Sequence, residues 1–284
     1  MKKLVYIFTL CTILLSACSQ DEAIMENKGE LVTLHYDVAI MDDALSRTSS
    51  EEVVVNKLLC VIFEGDDEVK REIIEKDSDG KFRFSPKLFG NVEYHVVFWA
   101  YYSADNTSCF NMTDVSSICI NDYYGKGNFQ ANKYKDAFTA VDVIKLAESS
   151  MNTSITLRRP FAKLNVLLSK KHTDEYKSQS GKELETCHIV LNGCKNTFNA
   201  LSQTWLDGTV TLTIDSDVKK ASTVYYEGYT YYESVGEYLF ANGNLQGGSL
   251  MIDNEDGEVI YGNTKLQDIP FDANKETNIY INLY

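Results

Sequence analysis

Apolar and polar residues alternate along much of this chain. In LVTLHYDVAI (31–40), Val32, Leu34, Tyr36, Val38 and Ile40 share one face. TVTLTID (209–215) repeats the pattern with Val210, Leu212 and Ile214. Alternation of this kind predicts strands buried on one side. EYHVVFWAYY (93–102) and VVVNKLLCVIFE (53–64) are apolar on both faces, which predicts central strands packed on each side. Turn signals separate the runs: GDD at 65–67, DSDG at 77–80, NGN at 242–244 and NEDG at 254–257. The last, between SLMI and EVIYG, predicts a hairpin. Helical candidates are few: DAFTAVDVIKLAESS (136–150) and TDEYKSQSGKELE (173–185). Many short strands with regular turns predict an all-β chain of sandwiches with few short helices.

One segment changes phase. In SITLRRPFAKLNVLLS (154–169) the apolar positions before Pro160 are odd, Ile155 and Leu157. After it they are even: Ala162, Leu164, Val166 and Leu168. A change of parity turns side chains to the other face of a strand, and proline belongs at strand edges or bulges. One strand therefore ends at Arg158-Arg159-Pro160 and the chain passes to a new sheet. The two arginines are read as fold residues at this crossover, solvated or paired with carboxylates; an anion site is the alternative. Phe98, Trp99, Phe161 and Leu164 are the expected core anchors.

The N-terminus bears on compartment. Lys2 and Lys3 precede an apolar run from Leu4 to Leu15, shorter than the roughly 20 residues a membrane span needs. Leu15-Ser16-Ala17-Cys18 follows and resembles a bacterial lipobox, so residues 1–17 read as a lipoprotein signal peptide and Cys18 as the lipidated residue. An ordinary signal peptide with a coincidental cysteine is the alternative. The expected organisation is a tether at 18–29, one domain at 30–160 and a second at 161–284. The chain is anchored to a membrane rather than threaded through it.

Composition narrows the partners. The net charge of −14 from 27 basic and 41 acidic residues disfavours nucleic acid and anionic lipid. Cys60, Cys109, Cys119, Cys187 and Cys194 remain beyond the leader. Cys109–Cys119 and Cys187–Cys194 are possible local disulfides, and small buried thiols are the equal alternative. His35, His95, His172 and His188 are dispersed, no zinc-type cysteine spacing occurs, and HExxH, GxSxG and P-loop motifs are missing. The residues thus call for no catalysis, metal or cofactor. Asp77-Ser78-Asp79-Gly80 partly resembles a calcium loop, but the twelfth position would be Pro86, so a tight turn is expected. The tyrosine-rich VYYEGYTYYESVGEYLF (224–240) reads mainly as core and surface aromatics, with Tyr231 and Tyr232 as candidate glycan contacts.

Several segments together resemble a known family. VVFWA (96–100), DAFTA (136–140), ITLRRPFAKLNV (155–166) and the closing PFDANKETNIYINLY (270–284) are similar, in order and spacing, to fimbrillin-like lipoproteins of Bacteroides-type bacteria. Ser19-Gln20-Asp21-Glu22 resembles the acidic export tags of surface lipoproteins from such bacteria. The likeness fades after Gly208 until the closing strand. It implies two tandem transthyretin-like β-sandwich domains and a type V pilus subunit or accessory protein at the outer membrane. In polymerising members an arginine-specific protease removes the lipid and first strand, and a neighbouring subunit's strand fills the groove. Here Arg47–Thr48 is the candidate bond, an ordinary loop arginine being the alternative, and 31–40 the exchangeable strand. The partners implied are other pilus subunits or self, the outer membrane through the lipid, and host or bacterial surface ligands. The sequence closes on its last strand without an obvious added donor, so an anchor, tip or minor subunit is expected as readily as a shaft subunit. A non-polymerising, glycan-binding surface lipoprotein is the second reading.

Overall fold

In the computed structural model, residues 28–41, 55–104, 108–120, 135–240, 243–244, 247–263, 265–266 and 269–283 are described. The first half forms β1 (Leu31–Ile40), β2 (Lys57–Glu64), β3 (Asp67–Glu75), β4 (Phe82–Phe84), β5 (Lys87–Phe89), β6 (Glu93–Tyr101), β7 (Phe110–Asn111), β8 (Ile118–Ile120), β9 (Ala137–Lys145) and β10 (Met151–Leu157). The second half begins with β11 (Phe161–Ser169), helix α1 (Lys170–Ser180), β12 (Leu184–Cys194), β13 (Thr197–Asn199), β14 (Thr204–Trp205), β15 (Val210–Asp217) and β16 (Ser222–Tyr226). It closes with β17 (Tyr229–Phe240), β18 (Gly243–Asn244), β19 (Gly247–Asn254), β20 (Val259–Asn263), β21 (Pro270–Phe271) and β22 (Glu276–Ile281).

These strands build two tandem β-sandwiches of the transthyretin-like kind. The first packs a sheet ordered β10-β1-β4, with β5 also on β1, against β3-β2-β6-β9. Its core joins Leu34, Tyr36, Leu58, Ile62, Phe82, Phe84, Val96 and Phe98. The second packs β16-β17-β11-β22 against β15-β12-β19-β20, around Leu164, Val166, Leu168, Ile189, Leu212, Val235, Leu250 and Ile252.

The two-faced strands have a direct cause. Leu58, Cys60, Ile62, Val96 and Phe98 face the first core, whereas Leu59, Val61, Val97, Trp99 and Tyr101 face the second. A small sheet, β14-β13-β8-β7, joins residues of both halves over that second face. Trp99 is fully buried there, with Phe110, Phe161 and Phe198 around it at 5.4, 6.4 and 6.0 Å between ring centroids. Phe98, Phe161 and Leu164 are fully buried as well.

The predicted hairpin at NEDG forms between β19 and β20, pairing Ile252 with Tyr261. The GDD turn joins β2 to β3 with Gly65 at φ 60°. One helical expectation is overturned: residues 136–150 supply strand β9, paired with β6 from Tyr101↔Ala137 to Glu93↔Lys145. Its β-branched Thr139, Val141, Val143 and Ile144 suit an extended chain, and Ala137 and Phe138 are buried in the two different cores. The other candidate is a helix that starts earlier, at Lys170. Ser169 caps it, accepting from the His172 amide at 3.4 Å, and Gly181 ends it at φ 71°, the left-handed form that glycine adopts without penalty.

Candidate functional site

β1 lies inside its sheet, not at an edge. It pairs in parallel with β10 from Leu34↔Met151 to Ile40↔Leu157. On its other side it pairs antiparallel with β4 through Tyr36↔Phe84 and with β5 through Val32↔Leu88. Val32, Leu34, Tyr36 and Val38 are all buried, each worth ~1.5–3 kcal/mol of apolar burial. The Tyr36 ring meets Phe98 edge-on at 4.9 Å, and its hydroxyl donates to Asp142 at 2.9 Å. Burial, followed by that carboxylate, raises the phenol well above its ordinary range. The alternating pattern thus makes β1 a plug, since its apolar side chains fill the core while its backbone bonds two neighbours. Its removal would leave β10 facing β4 and β5 across an apolar slot one strand wide.

The crossover after β10 separates the two arginines. Arg158 is exposed, and its backbone bridges to Thr139. Arg159 is buried and pairs with Asp136, Nε to Oδ1 at 2.6 Å and Nη2 to Oδ2 at 2.8 Å. Its Nη1 donates to Asn274 Oδ1 at 3.1 Å, and its guanidinium lies 4.7 Å from the Phe138 ring centre. Two further buried pairs use carboxylates of β17: Glu237 with Lys135, just before β9, at 3.1 Å and Glu233 with Lys163 of β11 at 3.5 Å. Burial pushes the Glu237 carboxyl up to about 7, against the pull of Lys135. The parity change at Pro160 coincides with a change of core: Leu157 belongs to the first, Leu164, Val166 and Leu168 to the second.

The candidate glycan tyrosines point to opposite faces. Tyr232 packs toward the second core and its hydroxyl donates to Asp174 at 3.3 Å. Tyr231 sits on the outer face, its ring 5.4 Å from Tyr280 of β22. Tyr226 of β16 lies near-parallel to Tyr280, at 5.7 Å and 26°. The structure therefore joins Tyr231 to Tyr226 and Tyr280 rather than to Tyr232.

Asp77–Gly80 forms a turn, with Gly80 at φ 78° and its amide donating to the Asp77 carbonyl at 2.9 Å. Arg83 pairs with both Asp77 and Asp79. Among the described residues, no group of three or more His, Cys, Asp or Glu is arranged to hold a metal ion. Cys60, Cys109, Cys119, Cys187 and Cys194 are separate thiols. Burial pushes Cys109 up to about 11, and Cys187 and Cys194 up to about 12, so they stay protonated and unreactive near neutral pH. Cys18, Arg47 and Thr48 lie outside the described residues.

A model of a family of unknown function matches residues 27–283, nearly the whole of this two-sandwich chain. The chain belongs to the DUF6562 family. Solved structures of low identity share the fold. A proposed adhesin from Bacteroides thetaiotaomicron is 12 % identical at a TM-score of 0.53, over 84 % of this chain and 80 % of that one. A proposed cell adhesion protein from Bacteroides eggerthii is 14 % identical at 0.53, over 89 % and 86 %. A proposed polysaccharide-binding protein from Bacteroides thetaiotaomicron is 10 % identical at 0.52, over 82 % and 80 %. No curated protein matches the chain.

Some features of this DUF6562 chain have no local signature. His188 is held between carboxylates of two neighbouring strands, Nδ1 to Asp215 at 2.7 Å and Nε2 to Asp253 at 3.0 Å. Burial lowers its pKa, but the two carboxylates outweigh this and the net shift is upward. In the sequence His188 is one of four dispersed histidines, and the acids that flank it come from β15 and β19, remote from β12 along the chain.

Proposed function

We propose that this DUF6562 chain is a surface protein with a structural or adhesive role in pili, anchored at the outer membrane by lipid on Cys18. In this reading residues 30–160 and 161–284 are its two domains, Arg47–Thr48 is the processing bond, and β1 is exchanged for a strand of a neighbouring subunit. The role is one of binding and assembly, without catalysis. The observation that carries the reading is β1 itself: a ten-residue strand, paired on both sides, whose alternate side chains plug a core. Main-chain bonds would give an incoming strand affinity, and alternation would fix its register. The fimbrillin-like segments and the fold shared with proposed adhesins support the same role.

The deciding experiment is mass spectrometry of the N-terminal peptide of protein from the outer-membrane fraction. A free terminus at Thr48 is the expected result for a polymerising subunit. An acylated Cys18 as the sole terminus means that β1 stays in place; strand exchange on this chain then falls, and an anchoring role remains.

A further inference from the structure

The outer face of the sheet β16-β17-β11-β22 holds an aromatic surface that no part of the assembly reading uses. Cross-strand pairing puts Tyr226 beside Tyr229 and Val224 beside Tyr231 on one face. The two-residue turn Glu227–Gly228, with φ of 48° and 88°, is of the primed type that tightens a hairpin and projects these residues together. Tyr280 comes from β22, on the far side of β11, in register with Leu167. Strands two places apart in a sheet are separated by about 10 Å. The Tyr231 and Tyr280 rings nevertheless approach to 5.4 Å, so both lean over β11. Leu167, in register with Tyr280, is buried although it faces outward from the second core, as are Asn165 and Lys163 further along the same face of β11.

The rings are held in place. The Tyr280 hydroxyl hydrogen-bonds to Tyr226 and accepts from the Asn278 amide. Asn278 Oδ1 in turn accepts from the Asn165 amide at 2.8 Å. Tyr280 is 39 % exposed and Tyr229 at the hairpin tip 68 %, which leaves aromatic surface open to solvent. Asn278 also lines a groove of about 520 Å³ along β22, with Asn263, Lys265, Glu276 and Thr277. Asn278 therefore links the fixed aromatic surface to an open groove that is apolar at Leu266, Ile269, Pro270 and Ile279 and polar at Asn263, Lys265 and Glu276, the Thr277 hydroxyl donating to the Pro270 carbonyl at 2.5 Å.

We propose that Tyr226, Tyr231 and Tyr280, with the groove beside Asn278, form a binding site for a neutral glycan. A pyranose presents an apolar C–H face and a rim of hydroxyls. The rings offer the amphipathic, entropically inexpensive contact that suits the face, and the groove offers donors and acceptors for the rim. The net charge of −14 disfavours sulfated and sialylated chains. The site names a ligand class for the adhesive role above and rests on that reading for its biological purpose.

The test is an array of neutral β-glucan, mannan, galactan and N-acetyllactosamine oligosaccharides beside sialylated and sulfated counterparts, followed by calorimetric titration of the best binder. The full mature chain is expected to bind at least one neutral oligosaccharide. Tyr226→Ala and Tyr280→Ala should each weaken it by about tenfold. Tyr280→Phe, which keeps the ring, should bind within about threefold and serves as the folding-safe variant. Tyr225→Ala, on the opposite face, should bind as the parent does. Binding to no neutral glycan, binding to charged glycans alone, or unchanged affinity in both alanine variants overturns the site. Adhesion of whole cells carrying or lacking the gene separates the two readings. Reduced adhesion without glycan binding removes this site and keeps the adhesive role; glycan binding through Tyr280 without any change in adhesion does the reverse.

Discussion

Arg159 and Asp136 form a buried two-point pair, 2.6 and 2.8 Å, that ties the start of β9 to the crossover between the sandwiches. Asn274, just before β22, takes a third guanidinium bond at 3.1 Å. Fork geometry of this kind suits arginine and no other cation.

Breaking this pair from one side strands a buried charge. Asp136→Asn or Arg159→Ala should lower unfolding free energy by ~3–5 kcal/mol, measured by urea denaturation. Arg159→Lys should fail to rescue, because an ammonium cannot span both carboxylate oxygens and Asn274. A loss below ~1 kcal/mol in Asp136→Asn, the range of an exposed pair, would refute the structural weight given to the pair.

Glu237 and His188 set the pH dependence above the acid range. Burial raises the folded Glu237 carboxyl to about 7, whereas the unfolded chain holds glutamate near ~4.3. The folded state therefore binds this proton more tightly. Its stabilising contribution is complete below ~4.3 and is lost as pH rises through the folded value. His188, raised overall by Asp215 and Asp253 against its burial, adds stability below its ordinary ~6.5 that fades above its folded pKa. Glu68, Asp79 and Asp217 are held low by their bonds to Arg71, Arg83 and Lys220, so their contribution is lost only on acidification. The urea midpoint should peak at about pH 5 and fall toward about pH 8. Glu237→Gln should flatten the fall. Equal parent stability at the two pH values would contradict the assignment.

Trp99 couples the two sandwiches. It sits on β6 of the first, yet its ring contacts Phe161 of the second and Phe198 of the small sheet between them. Trp99→Ala should cost ~3–5 kcal/mol. Because the lost contacts join the halves, its thermal unfolding should also broaden or split into two transitions, visible by calorimetry. A variant melting as one sharp transition at the parent temperature would show that the halves are coupled elsewhere.

Alternation and parity carried much of this architecture into view. They located β1, β6 and β15 and the change of core at Pro160, because each depends on neighbours within one segment. What stayed hidden depends on pairing between remote segments. Asp136 and Asn274 could not be assigned to Arg159 without knowing that β22 returns beside β11. Tyr231 and Tyr232 looked like one cluster because they are adjacent, but adjacent strand residues face opposite ways. The ring that completes the outer surface, Tyr280, arrives from the closing strand. At 136–150, tertiary pairing with β6 overrode a weak helical pattern.

The plug role of β1 predicts rescue from outside the chain. A chain beginning at Thr48 would lack Val32, Leu34, Tyr36 and Val38 and would leave β10, β4 and β5 without their shared partner. A labelled peptide of residues 30–41 should then bind it in trans, read by fluorescence anisotropy, and should not bind the intact chain, whose slot is filled. Leu34→Asp in the peptide should abolish binding, since it places a carboxylate at a position with no solvent exposure and no partner charge to compensate it. A peptide with apolar and polar positions exchanged should fail too, because a one-residue shift turns every apolar side chain outward. Equal binding of the original and exchanged peptides would mean that the shortened chain merely captures any apolar strand, and the specific slot would be refuted.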